Sequence, residues 1–356
     1  MERESQFHAA WQSLGARFIE HAGWRVPESF GDVAAEYHAL RETVGILDRC
    51  YRAHILATGE DAVRFLHGMV SNDIKSLAPG QGCYATLLNA QGQMLADLYV
   101  FSLRDGLLLE TGWDLKDKVQ QTLERFIIAD AVELHDRSDA LTAIALEGPR
   151  ALEMVSALLG DGELPTDNLA HQEKTLEGAT IRVVKRSIAG GEGFELKFAP
   201  EAAALVGESL GALGVRFAAR PAGLAALNAA RVEAGIPWYG VDMVESTLVP
   251  EAGIETVAVS YTKGCYIGQE IIERIRSRGH VNRKLTGFFV DGPAMRDDKI
   301  LDEGKEVGHL TSVVHSPRLN RTIALGFLRV EVIQVGKKLK AAAATLEVAE
   351  LPFWKL

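Results

Sequence analysis

The sequence predicts an α+β protein with a small β-barrel at its C-terminal end, and three observations carry that reading. Helix-spaced and alternating apolar runs are interleaved without the regular strand–helix–strand rhythm of a doubly wound sheet. Past Gly279 the helix pattern almost vanishes, and short β-rich runs separated by turn residues take over. The chain has 356 residues, 47% of them hydrophobic, more than a single core usually holds. More than one domain is therefore expected, with residues 1–280 forming the α+β region and 281–356 the barrel.

Phe7, Trp11, Leu14 and Phe18 recur at spacings of three and four, which predicts one helix over residues 5–21, broken by Gly23, Pro27 and Gly31. A second helix starts at Asp32, a suitable N-cap, and ends before Gly45. Strands are expected at 53–58, 84–88, 98–103 and 107–111, the last two joined by a hairpin turn at Arg104-Asp105-Gly106. Helices are expected at 59–69 and 114–127, the latter capped by Asp114. An apolar run at 140–146 leads into a helix at 149–159 and then a loop at 160–168. A glycine-rich turn at 190–193 enters a strand carrying Glu195, and a helix at 223–234 is stopped by Gly235 and Pro237. The barrel strands are read at 285–290, 306–310, 323–328 and 338–342.

Thirty-eight basic against 48 acidic residues give a formal net charge of -10, which argues against a broad nucleic-acid or anionic-membrane footprint. Any anionic ligand must meet a local basic cluster. Cys50, Cys83 and Cys265 lie far apart, with no C-x-x-C and no metal-ligand spacing, so neither a disulfide framework nor a metal site is expected. The first dozen residues are polar and charged with no apolar run behind them, so a signal peptide and a membrane span are not expected, and a reducing cytoplasm is the default compartment. The absence of G-x-x-x-x-G-K-[ST] disfavours nucleotide binding.

The most informative stretch is Lys263-Gly264-Cys265-Tyr266-Ile267-Gly268-Gln269-Glu270, followed by an amphipathic helix with Ile267, Ile271 and Ile275 on its apolar face. A thiol just before a helix and beside Lys263 meets the positive end of the dipole and a cation, both of which favour thiolate. The alternative is that Cys265 is a small packing residue. From 263 to 284, six basic residues (Lys263, Arg274, Arg276, Arg278, Arg283, Lys284) face two acidic ones, Glu270 and Glu273. This is the expected landing place for an anion, or else a solvated helix face. Glu195 falls where a carboxylate could face a pocket, unless the turn before it is a simple hairpin. Arg231 either complements the end of its helix or is reserved for a ligand carboxylate.

Taken in order, several segments carry a resemblance that runs nearly end to end. They are Gly15-Ala16-Arg17, Ala22-Gly23-Trp24-Arg25-Val26-Pro27, Ala39-Leu40-Arg41, Gly45-Ile46-Leu47-Asp48, Ser71-Asn72-Asp73, Pro79-Gly80-Gln81 and Leu87-Leu88-Asn89-Ala90-Gln91-Gly92. Gly193-Phe194-Glu195, Arg231-Val232-Glu233-Ala234-Gly235 and the run from Thr311-Ser312 to Ile323-Ala324-Leu325-Gly326 follow. The set resembles the glycine-cleavage T-protein (aminomethyltransferase) superfamily, and the 263–270 segment resembles its YgfZ-type branch.

The resemblance implies a folate-binding α+β unit of two intertwined subdomains plus a C-terminal barrel, in a cloverleaf arrangement. It implies tetrahydrofolate as the cofactor, with Glu195 on the pterin ring and Arg231 toward the folate's glutamate end. Asn72 and Tyr84 are read as further folate contacts. Two departures stand out: the T-protein's paired Asp-Asp is here Leu95-Ala96-Asp97-Leu98, and its Ser-His-Met is here Cys50-Tyr51-Arg52.

By this resemblance the first expectation is a tetrahydrofolate-binding factor for iron–sulfur cluster assembly or repair, with Cys265 and Lys263 at its reactive site and iron–sulfur proteins as clients. The alternative is a folate-dependent aminomethyltransferase with Asp97 in the acid's role and a lipoyl carrier protein as partner. A third is a binding module without chemistry. A monomer is expected.

Overall fold

The computed structural model describes residues 2–160, 162–279 and 281–355, the side chains of Arg278 and Lys355 excepted. The chain divides into two compact units. The first comprises Met1–His67, Asp73–Tyr84 and Leu98–Leu227, and the second Gly68–Asn72, Ala85–Asp97 and Asn228–Leu356. The polypeptide thus leaves the first unit and returns to it twice before position 228.

In the first unit a six-stranded sheet runs in the order His171–Leu176, Ala179–Lys185, Gly193–Phe198, Thr142–Glu147, Val44–Asp48, Ala219–Pro221. Its pairings are antiparallel except the last, which is parallel. Ile144, Leu146, Ile181, Val183, Phe194, Leu196 and Phe198 pack into one core with helices Ala151–Leu159 and Ala203–Phe217. Side chains alternate across a strand, so Phe194, Leu196 and Phe198 in that core put Glu195 and Lys197 on the opposite face. In the same unit strand Arg52–Thr58 lies between Leu107–Gly112 and Glu133–Asp136, and Glu110 is paired in register with both Tyr99 and His54.

The N-terminal helix expected over 5–21 stops at Ser13. Gly15 turns the chain at φ +83, and Arg17–His21 becomes a strand paired antiparallel with Trp24–Ser29. A positive φ cannot continue a right-handed helix, and the paired strand takes the backbone hydrogen bonds instead. The second helix is Val33–Glu42, and Asp32 caps it as expected by accepting from the Ala35 N–H at 3.0 Å. Asp114 caps nothing: it lies in a single 3₁₀ turn, Trp113–Leu115, ahead of helix Lys116–Glu124.

The second unit contains a closed six-stranded barrel in the order Arg283–Asp291, Arg321–Arg329, Lys305–Ser316, Lys299–Asp302, Lys338–Ala341, Ala344–Ala349. Inward-facing Phe288, Val290, Ile300, Leu310, Ala324, Leu328, Leu346 and Val348 fill it. Closure removes the exposed edges of so small a sheet. Two barrel strands escape the sequence pattern. Lys299–Asp302 is too short to show alternation, and Ala344–Ala349 begins in an alanine run that reads as helix former. Within Lys305–Ser316 the register shifts between Leu310 and Ser312, a bulge that leaves both Thr311 and Ser312 buried. Among the described residues no helix is long and apolar enough to cross a membrane.

The barrel core makes a direct test of this packing. Phe288 is fully buried, so Phe288→Ala should lower unfolding stability by about 3–5 kcal/mol, read from the urea midpoint of barrel-specific amide exchange.

Candidate functional site

The alternation that buries Phe194 and Leu196 delivers Glu195 and Lys197 to a space also reached by Glu110, Arg49, Arg52, Arg186 and His54, all within the first unit. Arg186 bridges the two carboxylates. Its Nη2 donates to Glu195 Oε2 at 2.7 Å and its Nη1 to Glu110 Oε1 at 3.0 Å. Lys197 donates to both Glu110 and Glu195. Arg52 Nε adds a bond to Glu110 Oε1 at 2.8 Å, and Arg49 Nε one to Glu195 Oε2 at 3.3 Å. Four cations surround two carboxylates, a net of +2 among the described residues.

Burial by itself would raise the Glu195 carboxyl, but Arg186, Lys197 and Arg49 outweigh it and hold the group down at about 2. Burial likewise opposes ionisation of Glu110, and Arg186, Lys197 and Arg52 keep it well below the usual carboxylate range. His54 goes the other way: burial, then Lys197, lower it to about 3, so its ring is neutral. Its Nε2 lies 3.4 Å from the Lys197 ammonium and accepts from it, which puts the ring proton on Nδ1.

Aromatic rings wall this cluster. The Arg186 guanidinium lies 4.2 Å from the centroid of Tyr99, and Tyr99 packs against Tyr84 with centroids 4.8 Å apart; both tyrosines are half-buried. Arg49 donates to the buried Tyr51 hydroxyl, which burial pushes up. The structure thus brings together two residues singled out in the sequence, Glu195 and Tyr84, through Tyr99 and Arg186.

The glycine-rich turn before Glu195 is clasped by a second buried carboxyl. Glu147 accepts from Ser187 Oγ at 2.6 Å, the Ile188 N–H at 2.9 Å and the Ala189 N–H at 3.3 Å. Ser187 Oγ in turn accepts from the Gly190 and Gly191 N–H groups. A Cβ at Gly193 would stand 2.5 Å from Glu147 Oε1, so glycine is required there by close approach. Among the described residues no cation bonds Glu147, and burial raises it to about 7.

The remaining candidates lie in the second unit. Arg231 is buried and four of its five N–H donors are used: Nε to Asn228, Nη1 to the Ile236 carbonyl and Asp242, Nη2 to Ser312. Thr311 and Ser312, exposed to Asp242 by the barrel bulge, each donate to its Oδ1 at 2.6 Å. Asn72 donates to the Val257 carbonyl at 3.0 Å. In strand Met94–Ser102 Ala96 is fully buried and Asp97 half-buried, with the Tyr239 hydroxyl donating to the Met94 and Leu95 carbonyls.

In the 263–270 segment Lys263 and Tyr266 are buried, and Gly264, Cys265 and Glu270 are exposed. The Lys263 ammonium is turned inward onto the Val70 and Asn72 carbonyls, at 2.5 and 3.0 Å. Gly268, at φ +84, approaches the Asn89 carbonyl so closely that a Cβ would stand 2.6 Å from it. The helix is Gln269–Arg278 with Gly268 as its N-cap, so Cys265 is exposed and four residues short of the helix start rather than at it. Ile272, not Ile275, is the helix's fully buried residue. Arg274 and Arg276 are exposed and paired weakly with Glu270 and Glu273; the Arg278 side chain lies outside the described residues.

Sequence reasoning passed over Glu110, Arg49, Arg186, Lys197 and His54, and met Arg52 only within the Cys50-Tyr51-Arg52 departure. A signal existed in one of them: Glu110 ends the apolar run Leu107-Leu108-Leu109, and a charge in a buried strand needs a partner. Among the described residues no group of His, Cys, Asp or Glu is arranged to hold a metal ion.

Residues 7–263 match the GCVT N-terminal domain, and residues 283–355 match the glycine cleavage T-protein C-terminal barrel domain. An aminomethyltransferase of Synechocystis sp. is 32% identical over 330 residues, covering 89% of this chain and 86% of that protein. One from Thermotoga neapolitana is 28% identical, covering 96% of this chain and 95% of its own. The crystal structure of the glycine cleavage system aminomethyltransferase T from Bartonella henselae superposes with a TM-score of 0.90 at 23% identity, over 99% of this chain and 98% of that one. The fold class expected from sequence, an α+β T-protein fold with a C-terminal β-barrel, is thereby established. The expectation of an iron–sulfur maintenance factor is overturned, because relatives along nearly the whole chain are aminomethyltransferases. Within the motif behind that expectation, Lys263 and Gly268 are packed against neighbouring backbone.

The Glu147 clasp carries a pH signature. Its carboxyl ionises near 4.5 when solvated and near 7 when folded, so its contribution to stability is full below about pH 4.5 and is lost as pH rises toward 7. The loss should be about 3 kcal/mol in size. Urea unfolding of wild type and Glu147→Gln across this range should give a difference in stability that varies with pH; a constant difference would contradict the assignment.

Proposed function

Because the chain belongs to the glycine cleavage T-protein family, we propose that it is a tetrahydrofolate-dependent aminomethyltransferase that takes an aminomethyl group from a lipoyl carrier protein. The observation that carries this reading is the state of the altered acid pair. Strand alternation sends Ala96 into the core, fully buried, and leaves Asp97 half-buried on the other face. The position that has lost its acid is therefore the core-facing one, and the acid retained is the half-buried Asp97.

In this reading the first unit holds the flat ring of the ligand. Tyr84 and Tyr99 supply half-buried aromatic surface, and Arg52 and Arg186 hold cationic edges beside it. Glu195 is fully buried with both oxygens bonded. We therefore assign ligand contact to the tyrosines and Arg52, and read Glu195 as the residue that holds that wall from behind. Arg231, bonded to Asn228, Asp242 and Ser312, is assigned to fixing the helix it ends onto the barrel. Asn72 is assigned to the loop it ties to Val257.

Tetrahydrofolate supplies the two nitrogens that accept the one-carbon unit. Asp97 is given the task of holding the amine of the incoming group and managing its proton as ammonia departs. The likeness of residues 263–270 to the YgfZ-type branch is read as a difference of lineage within the family, with Lys263 and Gly268 as packing residues. Three free cysteines support a reducing, cytoplasmic setting.

The test is an aminomethyl-transfer assay with purified chain, an aminomethyl-loaded lipoyl carrier and tetrahydrofolate, following ammonia and methylene-tetrahydrofolate. Wild type and Cys265→Ala should both turn over. Asp97→Asn should lose about 10²–10⁴ in rate while keeping its folate affinity. A wild-type chain that binds the folate yet transfers nothing refutes the proposal.

A further inference from the structure

Apart from aminomethyl transfer and from the charge cluster, we propose that an apolar cavity between helices His8–Ser13 and Ala203–Phe217 binds an aliphatic carboxylate, with its chain in the cavity and its head group on Arg220. The cavity lies wholly within the first unit and has a volume of about 460 Å³, the size of an ordinary small-molecule site. Phe7, Trp11, Ile46, Ile144 and Leu210 line it, and all five are buried members of the unit's main core. Its walls are held apart. Trp11 Nε1 donates to Asp48 Oδ2 at 2.8 Å, and the same oxygen accepts from Ser5, so the indole is fixed at its polar end and does not swing into the space. Phe7 packs edge-on against Phe198 and tilted against Trp11, with centroids 6.2 and 5.7 Å apart. Interiors are close-packed, and a gap of this size forfeits dispersion contacts along its whole lining. A hydrocarbon chain would restore them.

Helix Ala203–Phe217 carries three of the lining residues as glycines, Gly207, Gly211 and Gly214. Glycine weakens a helix interior, so each calls for a reason. At Gly207 the reason is internal, because a Cβ would stand 3.3 Å from the Phe7 ring. At Gly211 no such reason exists: a Cβ there would meet nothing within 4 Å. The room that Gly211 leaves belongs to the cavity and not to any neighbouring side chain among the described residues. Charge then selects the ligand. Arg220, exposed on the edge strand Ala219–Pro221, is the one charged residue in the lining among the described residues, and no hydroxyl, amide or carboxylate side chain lines the cavity with it. A guanidinium beside an apolar space suits a molecule with an anionic end and a hydrocarbon body. A wholly apolar molecule would leave Arg220 unused, and a polyhydroxylated one would strand its hydroxyls against Phe7 and Leu210.

Isothermal titration calorimetry of the full chain tests this with sodium octanoate, below its micelle concentration and at ionic strength held constant with chloride, against octan-1-ol as the uncharged chain. Wild type should bind octanoate at one saturable site, about tenfold or more tightly than octanol. Arg220→Gln should bring octanoate down to the level of octanol. Gly211→Leu, which sends a side chain into the open room, should abolish binding of both while the Tm of the unliganded protein stays level or rises, as expected when a helical glycine is replaced without a clash. No saturable octanoate binding to wild type overturns the proposal, as does octanol binding equal to octanoate, or Gly211→Leu binding like wild type. A wild-type dimer that Gly211→Leu dissociates overturns it too, because the occupant of the cavity would then be a second copy of this chain.

Discussion

Everything in the first unit that touches the candidate site depends on six ionised side chains packed where water is scarce. Glu110 and Glu195 remain ionised only because Arg186 and Lys197 are shared between them, with Arg52 and Arg49 each bonded to one. Strand geometry imposes the arrangement. Period-two alternation that sends Phe194, Leu196 and Phe198 into the main core has no other place for Glu195 and Lys197 than the opposite face. Removing one member of such a network strands a charge rather than merely deleting a contact, which is why these residues are coupled in a way that surface ion pairs such as Arg274–Glu270 are not.

The cluster also gives physical meaning to the glycine-rich turn before Glu195. Taken as sequence, that turn suggested a hairpin or a ligand loop. In the fold it is a clasp: Glu147 and Ser187 gather four backbone N–H groups, and Gly193 is glycine because Glu147 passes beneath it. The clasp sets the position at which the strand bearing Glu195 begins. A carboxyl raised to about 7 by burial is consistent with a group whose bonds are all to neutral donors.

Much of this architecture could be read from the sequence, for identifiable reasons. The barrel, the capped helix after Asp32, the hairpin at Asp105-Gly106 and the strand at Glu195 are local patterns with local causes. The first helix was overextended because Phe18 keeps helical spacing with Trp11 by coincidence, while Gly15 and the strand pairing of Arg17–His21 decide the backbone. The ordered set of short motifs indicated the family, and the family holds. The branch-like segment at 263–270 misled about function because residue identity does not reveal direction. Lys263 points inward to two carbonyls and Cys265 stands clear of the helix. Most of the charge cluster was invisible for the same reason. Arg49, Arg52, Glu110 and Arg186 are scattered over more than a hundred positions, and only the paired sheets bring them together.

In the proposed function Glu195 supports a folate-facing wall built from Tyr84, Tyr99 and Arg52. Equilibrium titration of tetrahydrofolate against wild type and Glu195→Gln examines that assignment most directly. It predicts saturable binding to wild type and affinity weaker by about tenfold or more in the variant, with the variant's fold verified by its circular dichroism. Wild type that fails to bind, or two proteins that bind equally well, would contradict it.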